Sequence, residues 1–468
     1  MSRWITTCRL RRFQRHAFFL VTVALVASCS LAPSRPDLQR LYETARSDVT
    51  QPPVVLIPGL MGTRLVSESE GEIWVGSVLD AMLSRYEHAA LRINPETLDP
   101  DPGDVRPGAI TGKFAGRDFY SSIIDTLETA GGFEPAVPGQ PVEPGGRYYY
   151  VFTYDWRLDN VHTVGRLDDL IEQIRADHGD RDLKVDIVAH SMGGMIARYF
   201  LRYGTVDVTN DNNFPVNYHG ENTVRRIVLL GTPNLGSVES VKAFIVGRRI
   251  GLRRIPPEVL ITFPSFYQLF THPINDWLLD IDGKPIDADP FDLSTWKRFQ
   301  WSIYDPQVRK RIMKRFDDPE QGRERLALME KYFHKHIERG RRFIWSLTVN
   351  LERSPWQLVV FGGDCDLTPA RMVVEEHDER YELHLDPDDI RSPRPGVDYD
   401  RLILEPGDGV VTKASLLARE SLDPFVPRHP WSFFPMKYPL FLCESHSQLT
   451  TNLFFQDNLL HFLLSQDT

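Results

Sequence analysis

Ser191 stands in Ala189-His190-Ser191-Met192-Gly193, between an apolar run at Val185–Val188 and a segment of helical character from Met195. A serine on a sharp strand-to-helix turn has its hydroxyl held clear of the sheet, where it can attack an ester carbonyl. Small residues at 189 and 193 suit such a turn, because strand and helix backbones approach closely there. The helix start adds a dipole that favours developing negative charge. Ala rather than Gly at the first position loosens the pattern slightly.

A serine hydroxyl is a weak nucleophile and needs a base oriented by a third group. Behind a turn of this kind the chain order is Ser, then acid, then His. His446, in Cys443-Glu444-Ser445-His446-Ser447, follows the last apolar run and precedes the last helical one, where the base belongs. His461, inside a helical segment, and His429, in a Pro-rich loop, read as structural. His190 borders the serine, but neighbouring side chains diverge. Three aspartates compete for the acid. Asp408, in Pro406-Gly407-Asp408-Gly409-Val410-Val411, has glycines that let its loop turn tightly, and it is favoured. Asp364 and Asp366 follow Gly362-Gly363 and are its rivals, Asp366 above all. Two backbone N–H groups must face the developing oxyanion. The expected donors are Met192, directly after the serine, and Leu60, in Pro58-Gly59-Leu60-Met61-Gly62. No run of His, Cys, Asp and Glu has metal-ligand spacing, so neither metal nor other cofactor is expected.

The elements that must position these groups are legible as short apolar strands alternating with amphipathic helices. Strands are predicted at Pro53–Ile57, Tyr148–Phe152, Val185–Val188, Arg226–Leu230, Leu358–Phe361 and Pro439–Leu442, and helices at Arg166–His178, Met195–Arg202 and Gln448–Leu464. Such alternation predicts an α/β fold, a mostly parallel sheet with helices on both faces and ligands at the carboxyl ends of its strands. The core is expected over 51–236 and 346–468. A helical cap is expected over 237–345, its aromatics Phe263, Phe266, Tyr267, Phe270, Trp277, Trp296 and Trp301 covering an acyl groove and its basic half a solvated face. A hairpin excursion is expected over 371–405, including Leu402-Ile403-Leu404. Asp155, Trp156 and Arg157, just past a strand, are expected to support the pocket floor.

The first 28 residues hold Arg3, Arg9, Arg11, Arg12 and Arg15 and no acid, followed at 17–27 by an apolar run too short to span a bilayer. This predicts an export signal. Val26-Ala27-Ser28-Cys29 resembles a bacterial lipobox, in which Cys29 is lipidated; an ordinary signal peptide with an incidental cysteine is the alternative. The reading places residues 29–50 as a tether and the protein in the bacterial cell envelope, as an outer-membrane lipoprotein held to the membrane surface by its lipid, or otherwise as a periplasmic or secreted protein. Four cysteines suit export. Cys365 and Cys443 either form a disulfide or remain buried thiols. A net charge of -10 over 468 residues excludes a nucleic-acid partner.

Together the motifs resemble the lecithin:cholesterol acyltransferase and lysosomal phospholipase A2 family of α/β hydrolases. Pro52–Gly62 is similar to its first-strand and oxyanion segment, Tyr154-Asp155-Trp156-Arg157-Leu158 to its YDWRL motif, and Leu230–Ser237 to its segment after the next strand. Gly407–Val411 resembles its acid loop and supports Asp408; His446 falls where its base would. The resemblance implies a lipid acyl ester as donor, a serine acyl-enzyme, and water or a hydrophobic alcohol as acceptor. The chain departs from the family in lacking a counterpart to its disulfide-closed lid near the N-terminus. Two other readings stand beside it: an esterase or triacylglycerol lipase for neutral or soluble esters, and a non-catalytic lipid-binding envelope lipoprotein.

Overall fold

The computed structural model describes residues 35–45, 51–377, 380–430 and 434–465. The arginine-rich start, the apolar run at 17–27 and Cys29 lie outside the described residues.

Seven strands form the central sheet: β1 Val54–Ile57, β2 Glu134–Pro135, β3 Tyr148–Val151, β4 Val185–His190, β5 Val224–Leu230, β6 Gln357–Gly363 and β7 Tyr438–Leu442. Across the sheet they run β7-β6-β5-β4-β1-β3-β2, and every neighbouring pair is parallel. β1 and β4 are buried at every residue. A parallel strand covered on both faces must be apolar throughout, which is why these strands read as continuous runs. Their carboxyl ends carry Pro58–Gly59, Ser191, Gly231 and Gly363.

Helices Asn160–His178, Met192–Tyr203 and Leu453–Leu464 flank the sheet. The first begins six residues before the apolar spacing indicates, because the Asp159 carboxylate caps it by accepting from the Val161 amide. The last begins later than expected. Residues His446–Thr451 form a 3₁₀ turn, and Asn452 then caps Leu453–Leu464 by accepting from the amides of Phe454 and Phe455.

The stretch expected as a cap holds helices Val238–Val246, Leu293–Arg298, Pro306–Met313 and Pro319–Ser346. It also holds a hairpin, Arg248–Ile250 with Arg253–Ile255, and a short strand, Leu278–Leu279, parallel to Met372–His377. Met372–His377 in turn pairs antiparallel with Arg380–His384. The two excursions therefore meet in one small sheet. Leu402 and Ile403 are not extended: the Asp398 side chain caps a helical turn, Tyr399–Ile403, before Leu404–Gly407 becomes strand. The basic half of the cap is more than a solvated face. Arg339 is ion-paired to the buried Asp159 and to Asp207, and Arg311 grips the buried Glu258 with two hydrogen bonds.

The seven cap aromatics are all buried. Phe270 stacks on Trp296, Trp296 meets Trp301 edge to face, and Phe263 and Phe266 lean on each other. Their surfaces are consumed in the main core shared with the sheet, Phe263 meeting Trp156 edge to face, so these rings do not line an open acyl groove. An aromatic-rich stretch satisfies both arrangements equally at the level of composition.

Candidate active site

Ser191 occupies the turn between β4 and helix Met192–Tyr203 at φ 55°, ψ −124°. Such backbone costs on the order of 1–3 kcal/mol for a residue with a side chain and persists only where neighbours over-determine it. Here the Ser191 amide donates to the Leu230 carbonyl at 2.7 Å, and the Ser191 carbonyl accepts from the Gly194 amide at 3.0 Å. The close approach behind the turn has a direct measure. A Cβ on Gly193 would lie 2.6 Å from the Pro58 carbonyl oxygen, and one on Gly59 would lie 2.7 Å from the Ser191 Cβ. Ala189 is fully buried.

His446 Nε2 lies 2.9 Å from Ser191 Oγ, and His446 Nδ1 lies 2.8 Å from Asp408 Oδ2. With Asp408 ionised, Nδ1 carries the proton and Nε2 accepts from the serine hydroxyl. The other carboxylate oxygen, Oδ1, accepts from the amides of Val410 and Val411, at 3.0 and 2.7 Å. Burial pushes the Asp408 carboxyl up. The His446 charge, its hydrogen bond and those two amides outweigh that, and the net shift is downward. The His446 amide also donates to the Asp408 carbonyl at 2.8 Å, so the two loops are joined through backbone as well.

Asp408 is brought back to the end of β6 by a two-stranded ribbon, Asp366–Pro369 against Leu404–Gly407, with the hairpin excursion hanging from its far end. Asp366 faces Gly407 across this ribbon and is exposed, and Asp364 pairs with Lys413 at 2.8 Å. Neither rival reaches the histidine. Gly363 makes the meeting possible: a Cβ there would lie 2.3 Å from the Glu444 carbonyl and 2.7 Å from the Asp408 Cβ. Cys365 and Cys443 are joined in a disulfide, which links the start of the ribbon to the loop that carries His446.

Leu60 lies in a loop fixed on both sides. Tyr154 Oη donates to the Pro58 carbonyl at 2.8 Å, the Gly59 amide donates to Tyr120 Oη at 2.8 Å, and Trp74 Nε1 donates to the Met61 carbonyl at 2.9 Å. Met61 has φ 65°. Among the described residues the amides of Leu60 and Met192 have no hydrogen-bond partner. Met192 opens its helix, so no carbonyl four residues back is available to it.

Sequence reasoning missed the support of His190. Its Nδ1 lies 2.8 Å from Tyr120 Oη and its Nε2 lies 3.2 Å from the His446 carbonyl. Since Tyr120 accepts from Gly59, its O–H donates to Nδ1, and Nε2–H donates to the His446 carbonyl. Burial and the nearby His446 charge push His190 down to about 3, so the ring is neutral. His190 diverges from Ser191, yet through Tyr120 it joins the loop that holds Leu60 to the backbone of His446. Nothing in the spacing of Tyr120 announces this role.

Asp155, Trp156 and Arg157 are all buried. Arg157 closes a two-pronged ion pair on Asp155 at 2.9 and 2.6 Å and donates to the Ala89 carbonyl, while Trp156 Nε1 donates to the Thr63 carbonyl. These groups are spent inside the fold and offer no face to a substrate. Among the described residues no cluster of His, Cys, Asp and Glu is arranged to hold a metal ion.

A seven-stranded parallel sheet with a strained serine turn at the end of a central strand makes this an α/β hydrolase. The sequence profile of the lecithin:cholesterol acyltransferase family matches residues 146–418, more than half of the chain. The chain belongs to that family, and so to the ester hydrolases and acyltransferases. No curated protein matches it by sequence. Among solved structures, that titled "The crystal structure of Tle4-Tli4 complex" is 14% identical, with a TM-score of 0.53 over 88% of this chain and 98% of that one. This likeness is one of fold. A Staphylococcus hyicus lipase is 13% identical over 92% of this chain and 96% of its own, with a TM-score of 0.34. Mature Bacillus licheniformis lipase BlEst2 is 12% identical over 88% and 89%, with a TM-score of 0.33.

Proposed function

We propose that the protein cleaves acyl esters of lipids through an acyl-enzyme on Ser191, passing the acyl group to water or to an alcohol. The observation that carries this reading is the unbroken path from Ser191 Oγ through the His446 ring to Asp408, at 2.9 and 2.8 Å. Ser191 attacks the ester carbonyl as His446 Nε2 takes its proton. Asp408 holds the tautomer and stabilises the imidazolium. The Leu60 and Met192 amides receive the oxyanion; one such donor is typically worth about 10²–10³ in rate. Collapse returns the proton from His446 to the departing alcohol oxygen. Water or an acceptor alcohol then gives its proton to His446 and attacks the acyl carbonyl; as the acyl–Oγ bond breaks, His446 returns that proton to the Ser191 oxygen.

The N-terminal residues support an envelope lipoprotein acylated on Cys29. Mass spectrometry of protein extracted from membranes tests this: an unmodified N-terminal peptide that retains its apolar run would sink it. For the enzyme, a fluorophosphonate probe is expected to label Ser191 and to spare Ser191→Ala. An unlabelled Ser191 in folded protein overturns the reading. Phospholipid, triacylglycerol and short p-nitrophenyl esters, assayed with and without a sterol, then identify donor and acceptor.

A further inference from the structure

The segment that follows β5, Gly231–Ser237, supplies no reacting group, yet it touches the element that carries each of them. Sheet order explains its place. β5 lies between β4, which delivers Ser191, and β6, whose ribbon returns Asp408. On the nucleophile side, a Cβ on Gly194 would run into the Thr232 side chain, so helix Met192–Tyr203 lies flush on the segment. At the base, a Cβ on Gly231 would stand 3.1 Å from His446 Cε1 and Nδ1. Gly231 also takes φ 58°, a conformation that suits glycine.

On the acid side the contact is bonded. Asn234 Nδ2 donates to the Leu416 carbonyl at 2.6 Å. The Leu235 amide donates to Ser415 Oγ at 3.1 Å, and Ser415 Oγ donates to the Gly236 carbonyl at 2.7 Å. Ser237 Oγ donates to the Val410 carbonyl at 3.0 Å. Val410 is one of the two residues whose amides bind Asp408 Oδ1. Residues 234–237 are thus zipped to 410–416. The zip is anchored on the nucleophile helix. Arg198 of that helix is buried, has no carboxylate partner among the described residues, and donates from Nη1 to Asn234 Oδ1 at 2.9 Å. A primary amide accepts from a guanidinium at one end and donates to a carbonyl at the other, and so sets the distance between them.

We propose that Asn234, Ser237 and Ser415 are positioning residues, which fix the separation between nucleophile helix and acid loop that the His446 ring must span. The ring lies 2.9 Å from Ser191 Oγ on one side and 2.8 Å from Asp408 on the other, so both ends must be held at once. The ribbon holds the acid loop to β6, and the His446 amide holds it to the base. The zip ties it to the nucleophile. The proposal rests on the triad reading of the site, and its test includes a measurement that does not need turnover.

The test compares the parent with two variants. One joins Ser237→Ala to Ser415→Ala. The other is Asn234→Asp, which keeps an acceptor for Arg198 and loses the donor to Leu416. Thermal melting shows whether each is folded. On a soluble p-nitrophenyl ester kcat is expected to fall about 10–100-fold with KM unchanged, since a displaced catalytic group loses rate rather than binding. Ser237→Thr, which retains the hydroxyl, should recover most of what Ser237→Ala loses. Asp408→Asn alone should lower kcat by about 10⁴-fold, and adding the two serine changes to it should cost little more, because they act through Asp408. The measurement without turnover is the low-field proton resonance of His446 Nδ1–H, identified by its loss in His446→Gln. It should move upfield or broaden in both variants. Folded variants with parental kcat and an unmoved resonance overturn the proposal. So does a serine pair whose cost is undiminished in the Asp408→Asn background, the behaviour of a merely structural contact. If the resonance responds as expected while the parent leaves esters intact, the positioning stands and the hydrolase reading fails.

Discussion

Removing one oxygen from Tyr120 tests the support of the site without touching a reacting group. Tyr120→Phe keeps the ring, and with it the edge-on contact to His190 at 5.7 Å between centroids. It deletes the acceptor of the Gly59 amide and the donor to His190 Nδ1. Both orphaned groups are buried, and each costs about 1–3 kcal/mol when left unpaired, so the fold should lose about 2–6 kcal/mol. The effect on rate follows from position. Gly59 precedes Leu60, and an oxyanion donor that drifts forfeits part of the roughly 10²–10³-fold that complete loss removes. We expect kcat on a soluble p-nitrophenyl ester to fall about 10–100-fold, with KM little altered, because the interaction matures in the transition state. In a double-mutant cycle, adding His190→Gln should cost less than the sum of the two single changes, since they share one bond. A folded, destabilised Tyr120→Phe with kcat within twofold of the parent would refute the coupling and leave Tyr120 a purely structural residue.

Gly363→Ala should be more severe. Its Cβ would press on the Glu444 carbonyl at 2.3 Å and on the Asp408 Cβ at 2.7 Å, parting acid from base; kcat should fall on the order of 10³–10⁴-fold, as when a triad acid is disabled, and near-parental turnover would contradict the geometry. Reduction of the Cys365–Cys443 bridge, which spans 78 residues, should cost about 4–5 kcal/mol in a chain-entropy account, read as a lower urea midpoint for Cys365→Ser with Cys443→Ser. Burial holds His190 and His272 down to about 3 and His336 to about 4. The unfolded chain therefore binds more protons than the folded one between pH about 6.5 and 4, and stability must fall as pH falls through that window, on the order of 2 kcal/mol per histidine at pH 5. Asp408, shifted down, gives stability lost only at lower pH. Urea midpoints that stay flat from pH 7 to pH 5 would contradict the assignment of three neutral histidines.

How much of this was legible beforehand depended on whether a signal was local. Ser191 and His446 each sit in a short serine-marked loop after an apolar strand, and strand order alone brings those two loops to one rim; Asp408 follows a ribbon strand outside the central sheet. The acid was the hardest of the three, because a ribbon pairs Asp366 with Gly407 and so puts both aspartates near the same strand end. Choosing between them takes the third dimension: Asp366 is exposed and Asp408 receives two amides. Tyr120 and Trp74 were illegible, since they act on residues 61 and 13 positions away with no periodic relation to them. The cap aromatics misled because burial against a ligand and burial against one another select the same residue types. Leu402 and Ile403 misled for a related reason: three apolar residues cannot declare a period, and the Asp398 cap decided it.

The Tyr154–Leu158 motif shows what a distinctive sequence can be for. Its charges pair with each other, its indole holds the Thr63 carbonyl, and Tyr154 holds the Pro58 carbonyl. With Tyr120 on Gly59 and Trp74 on Met61, three aromatic side chains fix a backbone group at each residue around Leu60 and none at Leu60 itself. A loop pinned so closely has paid its ordering cost before substrate arrives, and the Leu60 amide, without a partner among the described residues, keeps its direction while charge develops. On this account the motif contributes to rate by rigidity. Trp156→Phe, which loses the indole hydrogen bond and part of a buried ring packed on Trp74 and Phe263, should then lower kcat several-fold while leaving the acyl-chain preference of the enzyme unchanged; a changed preference would mean that the motif reaches substrate after all.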